Sequence, residues 1–517
     1  MSATLTAGST RVRGMLGRVS MYRLVLASLG LLSLIAVVLA FAGLVVPDPL
    51  EIVVSAVVLS AACVAADLVA QSVLRMPRRL ESSLITAAIL LFVLRPTVEP
   101  LGVAGLVLAG AVASLSKYLL AWRGRHILNP AATGATVLTI VSVWAPELGG
   151  SSWWVGSPWL AGPVLVLGLL LLARTDRLAV VAVFWVVAVV VAFIRTTVQF
   201  QAAGFPVDVA AVLLQVTFSS PFLFLGAFML SEPLTLPPRR RQQFVVAAIV
   251  GVLAGWPIAV GAITLGQERA LLIGNLVAFL FCLRAAVRLR LEGRRDLTPT
   301  VRELTFQAAR SFSFAPGQYL ELDVPHRRPD GRGTRREFSI ASAPEDLPTV
   351  RIAFKDGSQS SYKRALAEVP LGGTLAVTGV WGDFVLPARP TAPVLLVAAG
   401  IGVTPFVAQL RHLAATGQRR DIVLVYVVSD SGELAFRDDI AASGIPVVVF
   451  CPDEPRDLPA GWTWAGPERV DAESLVRAVP DIAQRAAYVS GPPRLIAALA
   501  PGLARAKSLT TDAFAGY

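Results

Sequence analysis

The sequence predicts a multi-domain membrane protein: an α-helical membrane domain of about ten helices, then an antiparallel β-barrel, then an α/β domain. Three observations predict it. Hydrophobic residues make up 55% of the 517 residues and the mean hydropathy is +0.65, too apolar for a soluble chain. Apolar runs fill the first 290 residues, whereas charged residues crowd into 284–517. Beyond residue 296 the apolar spacing turns from helical to alternating, and later to short continuous runs.

A membrane span needs about 20 apolar residues. Windows of this kind lie at 22–46, 52–74, 84–95 (short), 101–121, 130–145, 159–173, 178–195, 209–230, 244–263 and 270–290. Loop charges test the count independently, because cytoplasmic loops hold the Lys and Arg. Arg11, Arg13 and Arg18 precede the first window, Arg75, Arg78 and Arg79 follow the second, and Lys117, Arg123 and Arg125 close the fourth. Arg174 and Arg177 follow the sixth, Arg239, Arg240 and Arg241 the eighth, and Arg284, Arg288, Arg290, Arg294 and Arg295 the tenth. The alternate loops, such as 145–158 with Glu147 and the Trp153-Trp154 pair, are almost free of positive charge. The expectation is a multi-pass protein of the inner (plasma) membrane with both termini cytoplasmic and the lipid bilayer as partner. Residues 1–21 form a basic cytoplasmic segment, 22–290 the transmembrane domain and 291–298 a linker. The first apolar run is read as a retained helix, since no small-residue cleavage site follows it. The net charge of +11 is thereby topological, and no nucleic-acid partner is expected. Cys63, Cys282 and Cys451 are far apart and form no CxxC; they are packing residues, and no metal site is expected.

Polar clusters punctuate the membrane domain: Glu81-Ser82-Ser83, Ser116-Lys117-Tyr118, His126-Ile127-Leu128-Asn129-Pro130 and Ser231-Glu232-Pro233-Leu234-Thr235. Each lies near an expected cytoplasmic end, where capping or snorkelling accounts for it alone. In this order they resemble the Rnf D membrane component of the Rnf electron-transport complex and the related Nqr B component of the sodium-translocating NADH:quinone reductase, over about residues 20–290. That resemblance implies a flavin, FMN or riboflavin, in the membrane domain. The family esterifies FMN to a Thr in an Asp-Gly-x-Ser-Gly-Ala-Thr pattern. The nearest string here is Ala132-Thr133-Gly134-Ala135-Thr136, with Pro130 where the Asp belongs. Thr136 is thus the attachment candidate, against two alternatives: a close-packing face of small residues, or flavin or quinone held noncovalently. Paired-histidine haem is excluded, because His126 is the one histidine in the membrane part.

After the basic stretch 284–296, Val301 to Phe306, Tyr319 to Val324, Thr349 to Phe354 and Thr374 to Val380 alternate as short strands between Pro and Gly turns, a barrel pattern over 299–388. Within it, Arg336-Glu337-Phe338-Ser339 resembles the Arg-x-Tyr-Ser motif of ferredoxin-NADP reductase-type flavoproteins. The resemblance implies FAD: Arg336 on the pyrophosphate, Phe338 along the ring system, and the Ser339 hydroxyl at the N5 edge. Gly357, Ser360 and Ser361 precede a short helix, whose free NH groups suit a second phosphate contact. Gly382-Asp383-Phe384 resembles the family's Gly-x-Phe turn, with the Phe384 ring closing over the flavin.

The last domain, 389–517, opens on Val394 to Ala399, a continuous apolar strand suited to a buried parallel sheet. Gly400-Ile401-Gly402-Val403-Thr404-Pro405 follows and enters a helix, so Gly400, Gly402, Thr404 and Pro405 suit a dinucleotide pyrophosphate. Strands at Ile422–Val428 and Val447–Cys451 come next. Ser490-Gly491-Pro492 resembles the Cys-Gly-Pro turn beside the nicotinamide, with Ser490 for Cys. The terminal Tyr517 resembles the aromatic end that covers the flavin in plant-type members. Asp430, at the end of the second strand, would repel a 2′-phosphate and accept from a ribose hydroxyl, which favours NADH, with NADPH the alternative donor. Ser339, Ser490 and Tyr517 are the catalytic candidates.

The combined expectation is a membrane-bound flavin oxidoreductase. It passes electrons from cytoplasmic NAD(P)H through FAD to a carrier in or across the membrane: an extracytoplasmic flavin-binding protein or a quinone. Two alternatives are a redox-linked ion or solute transporter, and a reductase merely anchored by its membrane domain. Few carboxylates besides Asp67 lie at mid-membrane positions, which weighs against an ion path.

Overall fold

The computed structural model describes residues 21–74, 80–122, 125–175, 177–237, 239–261, 263–281, 287–327, 334–356 and 360–513. The chain divides at Ala285 into two compact units.

The first unit is helical: α1 Met21–Phe41, α2 Pro49–Val73, α3 Leu80–Val93, α4 Pro100–Leu119, α5 Pro130–Val141, α6 Pro158–Thr175, α7 Leu178–Ala202, α8 Val209–Phe218, α9 Arg240–Gly255 and α10 Gln267–Phe281, with a further segment at Phe222–Leu230. Five of these, α1, α2, α4, α6 and α7, are long and apolar enough to cross a membrane. A sixth span is added if α8 and the Phe222–Leu230 segment, bent by 41° at their break, count as one. The expected ten spans therefore narrow to five or six by length. Proline and glycine shorten the others: α5 begins at the Asn129-Pro130 cap and has 12 residues, and α9 stops at Gly255 before Trp256-Pro257. Small residues set the closest helix contacts. A Cβ on Gly251 or Gly255 would stand 2.9 Å from Phe184 O or 2.7 Å from Ala188 O, so α9 lies directly on α7.

The second unit starts where a linker was expected. Val287–Asp296 is a strand, β1, so the tenth helix, described over Gln267–Phe281, does not reach 290. The reason is a period-two pattern within the basic run: Val287, Leu289 and Leu291 are buried while Arg288 and Arg290 are exposed. β2 Val301–Ala308, β3 Tyr319–Asp323, β4 Arg335–Ser339, β5 Thr349–Lys355 and β6 Thr374–Trp381 complete a six-stranded antiparallel sheet in the order β4-β3-β6-β1-β2-β5. An antiparallel bridge from Ile340 to Ile352 joins the chain beyond β4 to the other edge strand. Helix α11, Ser361–Glu368, packs Tyr362 and Leu366 into this core.

β7 Val394–Ala399, β8 Ile422–Val427, β9 Val447–Phe450, β10 Trp462–Trp464, β11 Ala486–Gly491 and β12 Ser508–Ala513 form an all-parallel sheet in the order β10-β9-β8-β7-β11-β12. The central β7 is buried from Val394 to Ala398, as a strand covered on both faces must be. Helices α12 Thr404–Thr416, α13 Arg437–Ala442, α14 Ala472–Ala478 and α15 Pro493–Leu503 flank it. Arg411 of α12 ties the two sheets together: its guanidinium meets Glu303 of β2 at 3.4 Å and Asp439 of α13 at 2.8 Å, and donates to Ala341 O at 2.8 Å.

Candidate functional site

β4 carries the Arg-x-Phe-Ser motif in register with β3, with Arg336 opposite Leu322, Phe338 opposite Leu320 and Ser339 opposite Tyr319. Tyr362 of α11 organises these side chains. Its hydroxyl donates to Leu322 O at 2.9 Å, the Arg336 guanidinium lies 5.0 Å from its ring centroid, and Phe338 stacks on it at 5.9 Å. Burial holds the Tyr362 phenol well above its ordinary pKa, so it stays a neutral donor. Ser360 caps α11, accepting from Lys363 N. The His326 Nδ1 donates to Val324 O at 2.8 Å, and its Nε2 lies 3.1 Å from Ser361 Oγ. A cation and a capped helix N-terminus thus flank one aromatic platform, the chemistry of a phosphate-and-ring site. Sequence reading singled out Arg336, Phe338, Ser360 and Ser361 and missed Tyr362 and His326, whose roles depend on which strand they meet. Gly357 and Tyr517 lie outside the described residues.

Phe384 is placed differently from the expected flavin lid. It is 6% exposed and packs on Phe406 at 5.4 Å and edge-on to Tyr488 at 5.5 Å, within the core of the parallel-sheet domain. Its backbone makes the closer approach. A Cβ on Gly317, at φ +94°, would stand 2.0 Å from Phe384 O, and Gln409 Nε2 donates to the same oxygen at 2.7 Å.

The second half of the site lies at the carboxyl ends of β7 and β11. Gly400, at φ +51°, turns the chain out of β7 with open space around it. A Cβ on Gly402 would be 2.4 Å from Ser490 O, and one on Gly491 would be 2.8 Å from Ala399 Cβ. The two glycines therefore bring the strand ends into contact beneath an open turn. Thr404 Oγ1 donates to Ile401 O at 2.7 Å and Pro405 opens α12, which fixes the helix start against the turn. Ser490 is fully buried, and its hydroxyl has no hydrogen-bond partner among the described residues. Pro492 follows as an exposed residue ahead of α15. An orphaned buried hydroxyl at the end of a central parallel strand, next to glycines that clear the backbone, fits a dinucleotide.

Asp512 joins this group through β12, in register with Ser490. Burial, then the Glu337 charge, pushes its carboxyl up to about 6. It escaped the sequence reading because β12 is a short edge strand without an apolar run. Asp430 is exposed beyond β8, and its Oδ1 accepts from Gly432 N at 2.7 Å.

In the helical unit, Asp67 of α2 and Lys117 of α4 form a buried ion pair at 2.9 Å. Ser83 of α3 also donates to Asp67. Glu232 binds His126 Nε2 at 3.0 Å and Asn129 Nδ2 at 2.9 Å, and Asn129 N donates to Asn275 Oδ1 at 2.8 Å. Gly134 is a packing residue, for its Cβ would meet Ala109 O at 2.4 Å. The Thr136 hydroxyl is buried and has no partner among the described residues.

No protein-family model matches the chain. It is similar to the propane 2-monooxygenase reductase component of Mycolicibacterium goodii, 28% identical over 206 residues, covering 39% of this chain and 58% of that protein. It is also similar to ferredoxin-NADP reductase B of Sorangium cellulosum, 34% identical over 158 residues, covering 30% of this chain and 62% of that protein. The chain thus spans little more than half the length of these curated relatives. Among solved structures, it is similar to the FAD/NAD-binding domain of a nitric oxide dioxygenase from Vibrio cholerae, at 22% identity and TM-score 0.38, covering 45% of this chain and 99% of that one.

Proposed function

We propose that the protein is an NAD(P)H-dependent FAD oxidoreductase of the membrane. Arg336, Phe338, Ser339, Ser360 and Ser361 would hold FAD, and Gly400, Gly402, Thr404, Pro405, Ser490, Gly491 and Pro492 the nicotinamide dinucleotide. The observation that carries this reading is the buried Ser490 hydroxyl, without a partner among the described residues, at the glycine-cleared ends of β7 and β11, in one compact unit with the Arg336–Tyr362–Phe338 stack. When bound, FAD supplies a hydride acceptor that can release electrons one at a time. The chain's own residues do the rest. Arg336 would neutralise the pyrophosphate, Ser339 would donate to the flavin ring, and Ser490 would orient the donor ring.

The names of the relatives, reductases of an oxygenase and of ferredoxin, support transfer to a further acceptor. Here the apolar helices favour one in the membrane or beyond it, a quinone or an extracytoplasmic flavin protein. The helical unit is proposed to be Rnf D/Nqr B-like, with its short helices completing the ten-helix bundle, and to lie in the inner membrane with the reductase unit cytoplasmic. A flavin at Thr136 is retained as an attachment to test, because that hydroxyl has no partner among the described residues. Asp430 favours NADH. Steady-state assays of the full-length protein with both donors test the reading: NADH should give the higher kcat/KM, and oxidation of neither nucleotide would refute it.

A further inference from the structure

We infer that the helical unit contains a binding site for the phosphodiester headgroup of a membrane lipid. The site is a cavity of about 740 Å³ at one end of the bundle, within the range of about 300–1,000 Å³ usual for small-molecule sites. The α1–α2, α5–α6 and α9–α10 connections line it, together with Ser219 and Pro221 at the break that bends the α8 pair. Residues 42–48, 142–157 and 256–266, which make these connections, contain no Lys or Arg. Arg269, at the start of α10, is therefore the one cation among the described lining residues. The inference rests on the membrane placement proposed above and is independent of the oxidoreductase reading.

Arg269 is anchored through one donor and keeps the rest for a ligand. A guanidinium carries five N–H groups. Nε donates to Thr264 O at 2.6 Å, whereas Nη1 is buried and has no hydrogen-bond partner among the described residues. Glu268 Oε1 lies 3.0 Å from Nη1, yet this carboxylate is 0% exposed and accepts from Ser151 Oγ at 2.7 Å and from the Trp153 indole at 2.8 Å. Glu268 thus steadies the guanidinium from behind, out of a ligand's reach, while the Arg269 side chain retains 12% exposure. Gly266 clears the approach: a Cβ there would stand 3.2 Å from Arg269 Nη2 and 3.5 Å from Glu268 Oε2. Its φ is outside the left-handed region, so the missing side chain serves the space and not the turn. A guanidinium fork held in such a recess matches two oxygens of a phosphate. The rim favours a lipid over a dissolved anion, because Val46 is 98% and Trp159 56% exposed, the character of a membrane-interface belt. Acyl chains would leave over these two residues, with the phosphate drawn inward to the basic recess.

The test titrates the full-length protein, delipidated in detergent micelles, with phosphatidylglycerol, with diacylglycerol, which lacks the phosphate, and with inorganic phosphate. Native mass spectrometry should show saturable binding of one phosphatidylglycerol per chain, with diacylglycerol bound at least tenfold more weakly. Arg269→Lys keeps a charge beside Glu268 but removes the fork, and Gly266→Val fills the approach. Each should weaken phosphatidylglycerol binding at least tenfold, and because they act on different atoms a folding defect in one leaves the other to decide. Equal affinity in wild type and both variants overturns the site, and equal affinity for diacylglycerol overturns the headgroup as its ligand. Displacement of the lipid by an equal concentration of inorganic phosphate would mark a free-ion site and overturn the lipid assignment. Release of the chain from membranes by a carbonate wash without detergent would instead remove the membrane placement itself.

Discussion

Among single residues, Arg336 and Asp512 separate binding from protonation. Arg336 has a ring partner in Tyr362, so removing its charge leaves the platform intact and isolates the ionic contribution. Charge-assisted hydrogen bonds of this type are worth about 1.5–3 kcal/mol. Arg336→Ala should therefore weaken FAD binding about ten- to a hundredfold, read by flavin fluorescence recovery on dilution. Asp512 has its carboxyl raised to about 6 in the folded protein by burial and Glu337, against about 3.9 when unfolded. A raised acid favours its neutral form in the fold, so its contribution to stability is complete below about pH 4 and is lost as pH rises through about 6. Asp512→Asn should consequently match wild type in Tm near pH 4 and exceed it at pH 7. An equal Tm difference at both values would show that this carboxyl does not titrate in that window.

Among the secondary-structure elements, strand ends and helix contacts carry the proposed function. Gly402→Ala would drive a methyl to 2.4 Å from Ser490 O and part β7 from β11. The expected outcome is a raised KM for NADH with FAD content unchanged; loss of FAD as well would mean the sheets fail together. In the helical unit, Lys117→Met strands Asp67 as a buried charge, which costs about 3–5 kcal/mol. Thermal unfolding in detergent should show a large loss, recovered when Asp67→Leu is added. Strands with a strong apolar pattern, β2, β3, β5, β6, β7, β8 and β9, were legible in the sequence, and so was the glycine turn. β1 was not, because Arg288 and Arg290 read as charges at the end of the tenth helix, and Arg294 and Arg295 as a linker, until Leu289 and Leu291 are seen alternating with them. Phe384 was legible as a turn residue but not in its direction, which Phe406 and Tyr488 decide. Helix windows were located by hydropathy, yet 244–263 overran Gly255, where Trp256-Pro257 ends α9, and 130–145 overran Val141, the last residue of α5. The Glu268 and Trp153 contact joins residues 115 apart in sequence, and no local pattern announces it.

In the molecule as a whole, the unit proposed to oxidise NAD(P)H shares its chain with helices of which five or six, among the described residues, are long and apolar enough to cross a membrane. Reporters fused after Tyr517 should behave as cytoplasmic if the loop charges set the topology; external labelling of the reductase unit would reverse the proposed direction of electron flow. Everything proposed for the chain depends on NAD(P)H electrons entering through FAD held on the Arg336 platform. The decisive experiment is anaerobic rapid mixing of NADH with the full-length, FAD-loaded protein in lipid nanodiscs, followed at the flavin absorbance band. Bleaching of one bound FAD per chain is expected, with reoxidation when quinone is added. A flavin band left unbleached by both NADH and NADPH would contradict this route of electron entry.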